Sequence, residues 1–316
     1  MIKEKPSDFV VKELMDLDLD ESGEFAYYEL TKTNLTQEQA FRVICDKLNI
    51  KRKFLNFAGT KDKKAITTQH ISISKGPKKD FEFENVKLRY LGQGKERISL
   101  GQLKGNSFEI VVKTDKKPRN VSYVPNYFDD QRFGMNKNNH IIGKLLIQKK
   151  FKDAVELIRE TQEVVDECLQ NNSSDFIGAI RKLPRKLIQM YVHAYQSYLF
   201  NELLKKELMG EEYFEVEYAV GLLFFPKVDS KTKKTLPLIG FGTDVDVEKV
   251  LMDEGINLRD FIMKQIPELS SDGAERNAFV EVKDLEIKDI DGGYVVCFFL
   301  PAGSYATIVI KALFMA

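Results

Sequence analysis

Asp62 is the side chain with the clearest chemical potential. From Lys47 to Lys79 the chain carries ten cations: Lys47, Lys51, Arg52, Lys53, Lys61, Lys63, Lys64, Lys75, Lys78 and Lys79. Asp62 is the only acid among them, in the run Phe57-Ala58-Gly59-Thr60-Lys61-Asp62-Lys63-Lys64-Ala65. Cations that close favour an ionised carboxylate. They also make a landing place for phosphate, which a carboxylate would otherwise repel. This combination suits a carboxylate that acts on nucleic acid. A Gly-Thr-Lys-Asp sequence is also a common polar turn, so the pattern needs support from the rest of the chain.

The elements around Asp62 follow from periodicity. Residues 8–13 and 25–30 are short and rich in aromatic and β-branched side chains, as strands are. Thr36-Gln37-Glu38-Gln39 has the form of a capping box. Phe41, Ile44, Cys45 and Leu48 follow at helical spacing, which predicts an amphipathic helix over 37–49. Residues 66–73 read as a strand, so Asp62 falls on the loop entering it, where a sheet can position a side chain yet leave it accessible. Further strands are expected at 86–91, 96–103 and 106–113, separated by Gly92, Gly94 and Gly105. The middle changes character. Residues 151–170 and 185–209 read as long helices, the second with Tyr191, Tyr195, Tyr198, Leu199 and Leu203 on a core-type stripe. Strand character returns at 278–287 and 294–300.

Composition narrows the function classes. The 316 residues suffice for a sizeable core and two domains. Cys45, Cys168 and Cys297 are odd in number and far apart, and with three histidines they form no zinc spacing. No metal or disulfide framework is expected. The first residues lack a signal-peptide core and no apolar run approaches membrane-spanning length, so a cytoplasmic protein is expected, and a monomer. Net charge is zero, but its distribution is uneven. Residues 1–50 carry net −5, residues 51–150 net +14 (23 basic, 9 acidic) and residues 151–316 net −9. A basic segment of that size can make one positive face on a neutral molecule, although charge runs are commonly only solvated loops.

Six ordered blocks carry a resemblance that runs through almost the whole chain. They are residues 2–13 (Ile-Lys-Glu-Lys-Pro-Ser-Asp-Phe-Val-Val-Lys-Glu), residues 57–69 around Gly-Thr-Lys-Asp, and Lys104-Gly105-Asn106-Ser107-Phe108. Val124-Pro125-Asn126-Tyr127-Phe128-Asp129-Asp130-Gln131-Arg132-Phe133-Gly134, residues 194–201 (Ala-Tyr-Gln-Ser-Tyr-Leu-Phe-Asn) and Leu300-Pro301-Ala302-Gly303-Ser304-Tyr305-Ala306-Thr307 complete the set. In this order and wording the chain resembles the TruD family of tRNA pseudouridine synthases.

The resemblance implies an α+β fold. A pseudouridine synthase catalytic domain with a mixed, mainly antiparallel sheet (1–122 and 280–316) is interrupted by a helix-rich α+β TRUD insertion (123–279). Asp62 takes the place of the family's catalytic aspartate. Lys3 falls on its basic active-site position, where it would keep Asp62 ionised. Phe9, Asn106 and Tyr305 match substrate-contacting positions, and Phe108 matches an aromatic that looks like a stacking surface for the target uracil. The implied activity isomerises one uridine of tRNA, usually uridine 13, to pseudouridine without a cofactor. Two departures stand near the domain junction: a short span from Phe108 to Asn126, where a helix is often present, and Asp129 in place of the family's usual glycine. The rival functions are a non-catalytic RNA-binding protein using the same basic surface, and a glycosylase that would release free uracil.

Overall fold

The computed structural model describes residues 4–228 and 233–315; Lys3 lies outside them. The chain opens with strands β1 (Phe9–Leu14) and β2 (Phe25–Thr33), helix α1 (Gln37–Leu48), and strands β3 (Leu55–Phe57), β4 (Ile66–Ser74), β5 (Phe81–Phe83), β6 (Val86–Gly94) and β7 (Gly105–Lys113). A helix-rich stretch follows, with β8 (Tyr123–Pro125), α2 (Asn139–Ile147), α3 (Phe151–Arg159), α4 (Glu163–Asn171), α5 (Phe176–Lys182) and α6 (Arg185–Leu208). It continues through β9 (Tyr213–Tyr218), β10 (Gly221–Pro226), β11 (Thr235–Leu238), α7 (Glu248–Glu254), β12 (Ala274–Asn277) and β13 (Phe279–Glu281). Strands β14 (Lys283–Ile290) and β15 (Gly293–Pro301) and helix α8 (Ala306–Leu313) end the chain.

Two units result. Residues up to Ser122 with Glu281–Ala306 form one, and Tyr123–Val280 with Thr307–Met315 the other. The sequence reading kept 280–316 in one piece, whereas α8 counts with the second unit from Thr307 onward. There Lys311 is ion-paired with Asp129, which is buried. The acid at the unexpected position 129 thus has a structural partner.

The first unit is one nine-stranded sheet in the order β14-β15-β7-β1-β4-β2-β6-β5, with β3 added to β4. Its pairs are antiparallel except β1 with β4, so the fold is α+β with a mixed, mainly antiparallel sheet. Helix α1 covers part of one face because its apolar stripe matches that of the strands. Ala40, Phe41 and Ile44 pack on Ala26, Tyr28 and Leu30 of β2, Ile71 and Ile73 of β4, and Val86 and Leu88 of β6. The expected capping box is present: Gln39 N–H donates to Thr36 Oγ1 at 3.2 Å and Thr36 N–H to Gln39 Oε1 at 2.9 Å. Asn49 closes the helix in a left-handed conformation (φ 51°). Thr36→Ala should therefore cost about 1 kcal/mol, read as a shift in the denaturation midpoint with unchanged slope.

Three sequence expectations differ from the structure. Residues 96–103 are not a strand: Ile98 N–H donates to Ser72 Oγ and Ser99 N–H to Gln102 Oε1, so side chains take the bonds a ladder would have used. The helix expected over 151–170 is two helices, broken between Arg159 and Glu163. The strand expected over 278–287 is likewise two, β13 and β14. No helix lies between Phe108 and Asn126, in keeping with the short span there.

In the second unit α2–α6 enclose a core of Leu146, Val155, Ile158, Ile180, Tyr191, Tyr195 and Leu199, joined by Phe261 and Met263. The tyrosine stripe of α6 is spent on that core. Among the described residues, no helix is long and apolar enough to cross a membrane.

Candidate active site

Strand β4 has two different neighbours on one edge. Parallel β1 pairs Val10–Lys12 with Ile66–Thr68, and antiparallel β3 pairs Leu55–Phe57 with Ile73–Ile71. The C-terminal ends of β1 and β3 therefore point at each other across Gln69 and His70. This leaves a fork in the sheet, and the chain leaves β3 there to make the 58–65 loop that carries Asp62.

The fork strips His70 of a ladder partner for its N–H, and buried main-chain donors are seldom left unmet. The next residue of β1 supplies one: Glu13 Oε1 accepts the His70 N–H at 3.0 Å. Glu13 is 1 % exposed, and its other oxygen accepts from Lys61 Nζ, itself buried. Burial alone would raise the Glu13 pKa; hydrogen bonds from His70 and the charge and hydrogen bond of Lys61 hold it below the ordinary carboxylate value. The residue before Asp62 is thus anchored by a buried ion pair.

Asp62 is anchored through its main chain. Its carbonyl oxygen accepts from Lys32 Nζ at 2.6 Å, and the same ammonium donates to the Leu35 carbonyl at 2.8 Å. Lys32 is fully buried on β2. Burial pushes its pKa down to about 8, opposed by the Asp62 carboxylate and reinforced by Lys61. The Asp62 side chain itself stays half-buried, followed by exposed Lys63 and Lys64.

The other expected residues fall partly around this fork. Asn106 of β7 is the cross-strand partner of Glu13 and of Leu300. Tyr305 follows the turn after β15, whose Pro301 pairs with Gly105, so the register puts Asn106 and Tyr305 at one end of the sheet. Two polar side-chain atoms here, Asn106 Oδ1 and Ser304 Oγ, are buried without a hydrogen-bond partner. Such atoms mark a place where a ligand or water completes the bonding. Phe108 is stacked on Phe298 (centroids 5.4 Å apart, 28°) and meets Phe9 edge to face (6.1 Å, 66°). Phe108 is 8 % exposed and Phe9 2 %, so Phe9 is core and braces the ring of Phe108.

Sequence reasoning passed over Glu13, Lys32 and the buried state of Lys61. Both strand residues carried a signal: Glu13 is in phase with the inward-facing Phe9 and Val11, and Lys32 with Ala26, Tyr28 and Leu30. An ion at a core position of a strand needs a partner.

Comparison with known proteins identifies the family. The family model described as tRNA pseudouridine synthase D (TruD) matches residues 1–167, 159–225 and 227–313. A probable tRNA pseudouridine synthase D of Nanoarchaeum equitans is 31 % identical, over 99 % of this chain and 98 % of its own length. A tRNA pseudouridine synthase D of Aquifex aeolicus is 32 % identical, over 99 % and 97 %. The crystal structure of a putative tRNA pseudouridine synthase D from Methanosarcina mazei superposes with a TM-score of 0.71 at 26 % identity, covering 100 % of this chain and 93 % of that one. The chain belongs to the tRNA pseudouridine synthase D (TruD) family.

Proposed function

We propose that this protein isomerises uridine 13 of tRNA to pseudouridine, with Asp62 as the reacting group. The observation that carries the reading is the anchoring of one loop from two sides, by the Glu13–Lys61 pair and by Lys32, so as to present a single carboxylate. In this reading the sheet-bearing unit is the catalytic domain and the helix-rich unit the TRUD insertion. The target base leaves its stack at a cost of a few kcal/mol. Asp62 acts as a nucleophile at C1′ or at the ring. The N1–C1′ bond breaks, the uracil turns and C5 bonds to C1′. The bond that Asp62 had formed to C1′ or to the ring breaks to return the free carboxylate, a proton leaves C5 and N1 takes one up. No bond is oxidised or reduced, so the chemistry calls for no cofactor.

The aromatic shelf of Phe108, braced by Phe9 and Phe298, supports stacking of the loose uracil. Asn106 has a free acceptor to offer a substrate N–H or O–H. Tyr305 flanks the base in this scheme. Lys3, beyond the described residues, keeps its proposed part as a second cation for Asp62. A cytoplasmic monomer acting on tRNA belongs to the same reading.

The basic segment has a divided role. Lys61 is spent on Glu13, and Arg52 pairs with Glu38. Lys63 and Lys64 are exposed beside Asp62 and suit phosphate contacts. Replacing both by Glu should weaken transcript binding by about tenfold or more and flatten the salt dependence by roughly two contacts, with little change in the rate at saturation. Binding isotherms at several salt concentrations measure this.

The deciding experiment is nucleoside mass mapping of an unmodified tRNA transcript after incubation with the protein alone. Pseudouridine at position 13 and nowhere else is the expected product. Tight binding with every uridine unchanged would favour the non-catalytic RNA-binding reading. Free uracil in the supernatant would favour a glycosylase.

A further inference from the structure

Lys32 stands where strand β2 calls for an apolar side chain. It follows Ala26, Tyr28 and Leu30 in a period-two run, faces Thr67 of β4 and Val86 of β6 in register, and is 0 % exposed. A buried ammonium is strongly unfavourable unless it is paired and hydrogen-bonded. Its Nζ donates to two main-chain oxygens, of Leu35 and Asp62. They take two of its three N–H groups without neutralising its charge.

The charged groups around it all belong to the Asp62 fork. The Asp62 carboxylate favours its cationic form and Lys61 opposes it. Lys61 is in turn neutralised by Glu13 of β1, which also bonds His70 of β4. The nearby side chains of Gln37 on α1 and of Thr67 and Gln69 on β4 are uncharged, with buried polar atoms lacking a partner. Nothing on β2, β4, β6 or the start of α1 offers Lys32 another anion among the described residues.

We propose that Lys32 is a positioning residue of the reaction: it ties down the Asp62 peptide by its main-chain oxygen and sets a buried positive charge beneath that residue, so that the carboxylate is presented ionised and in one geometry. The proposal rests on the reading of Asp62 as the reacting group. The competing role is a staple between β2 and the start of α1 through the Leu35 carbonyl. A staple needs hydrogen bonds only, and a neutral amine still donates two. The two roles therefore separate on charge.

Single-turnover pseudouridine formation should be followed from pH 6 to 10 for wild type, Lys32→Met, Lys32→Arg and Asp62→Asn. Lys32→Met should lose about 10²-fold in rate, the scale of a small misplacement of a reacting group, with transcript affinity unchanged. The wild-type rate should fall as pH rises through about 8. Lys32→Arg keeps a cation that does not titrate in this range, so its profile should lose that alkaline limb even if its rate is low throughout.

Stability should move the opposite way. Because the folded pKa lies below the ordinary 10.5, the unfolded chain binds the proton more readily between the two values. Relative to Lys32→Met, wild type therefore gains stability over that interval while it loses activity. A staple, whose hydrogen bonds outlast the proton, would gain the same stability with no alkaline loss of rate.

A Lys32→Met rate within about threefold of wild type, or an alkaline limb that persists in Lys32→Arg, overturns the proposal. If Lys32→Met does not fold, the wild-type and Lys32→Arg profiles decide. Asp62→Asn separates the levels. Full activity there removes the functional reading itself, whereas an inactive Asp62→Asn beside a fully active Lys32→Met removes only the role given to Lys32.

Discussion

Asp62→Asn should abolish pseudouridine formation, lowering the single-turnover rate by about 10⁴-fold or more, the scale seen when a nucleophile is deleted. The substitution is nearly isosteric, and two of the bonds that hold this loop do not involve the carboxylate. Lys32 grips the main-chain oxygen of Asp62, and Lys61 grips Glu13. The loop should therefore keep its place in the variant, and the loss should fall on the rate alone. Transcript affinity should hold or rise slightly, since an anion disappears from a basic surface. Mass mapping of the transcript reads the product, and filter binding reads the affinity. Conversion at a wild-type rate would remove Asp62 from the chemistry. Loss of binding in parallel with loss of rate would make it a structural residue.

The legibility of this site in the sequence was uneven, and the reason is physical. Helix α1 was readable because its evidence is local: a Thr36–Gln39 capping box and an apolar stripe three and four residues apart. Asp62 stood out as one sign among ten of the other. The fork that presents it was not readable. It depends on β1 and β3 sharing one edge of β4 from opposite directions, which only long-range pairing decides. The buried state of Lys61 escaped for the same reason. In a run of lysines nothing local distinguishes the one that turns inward to Glu13, 48 positions away, from the exposed Lys63 and Lys64. Residues 96–103 misled because apolar residues and flanking glycines suggest a strand, while Ser72 and Gln102 side chains had claimed the backbone.

Glu13→Gln should have the largest effect on the fold of the site. Gln keeps an oxygen to accept the His70 N–H, so the change removes charge and little else. Lys61 is then a buried cation without its carboxylate, a state that costs about 3–5 kcal/mol. The chain escapes part of that cost by releasing Lys61 to solvent, and this frees the residue next to Asp62. Denaturation should show the stability loss at pH 7, and amide exchange at His70 should accelerate as the fork opens. Acid should narrow the gap between wild type and variant. The Glu13 pKa is held below its ordinary 4.5, so its contribution is present above that value and is lost as pH falls through the folded pKa. The double variant Glu13→Gln with Lys61→Met removes both charges and should recover much of the stability, because no buried charge is then left without its partner. The reaction rate should not recover with it, since the tether to the residue before Asp62 stays cut. Stability that returns without the rate would assign the pair to presenting Asp62. Rate and stability returning together would make it an ordinary core contact.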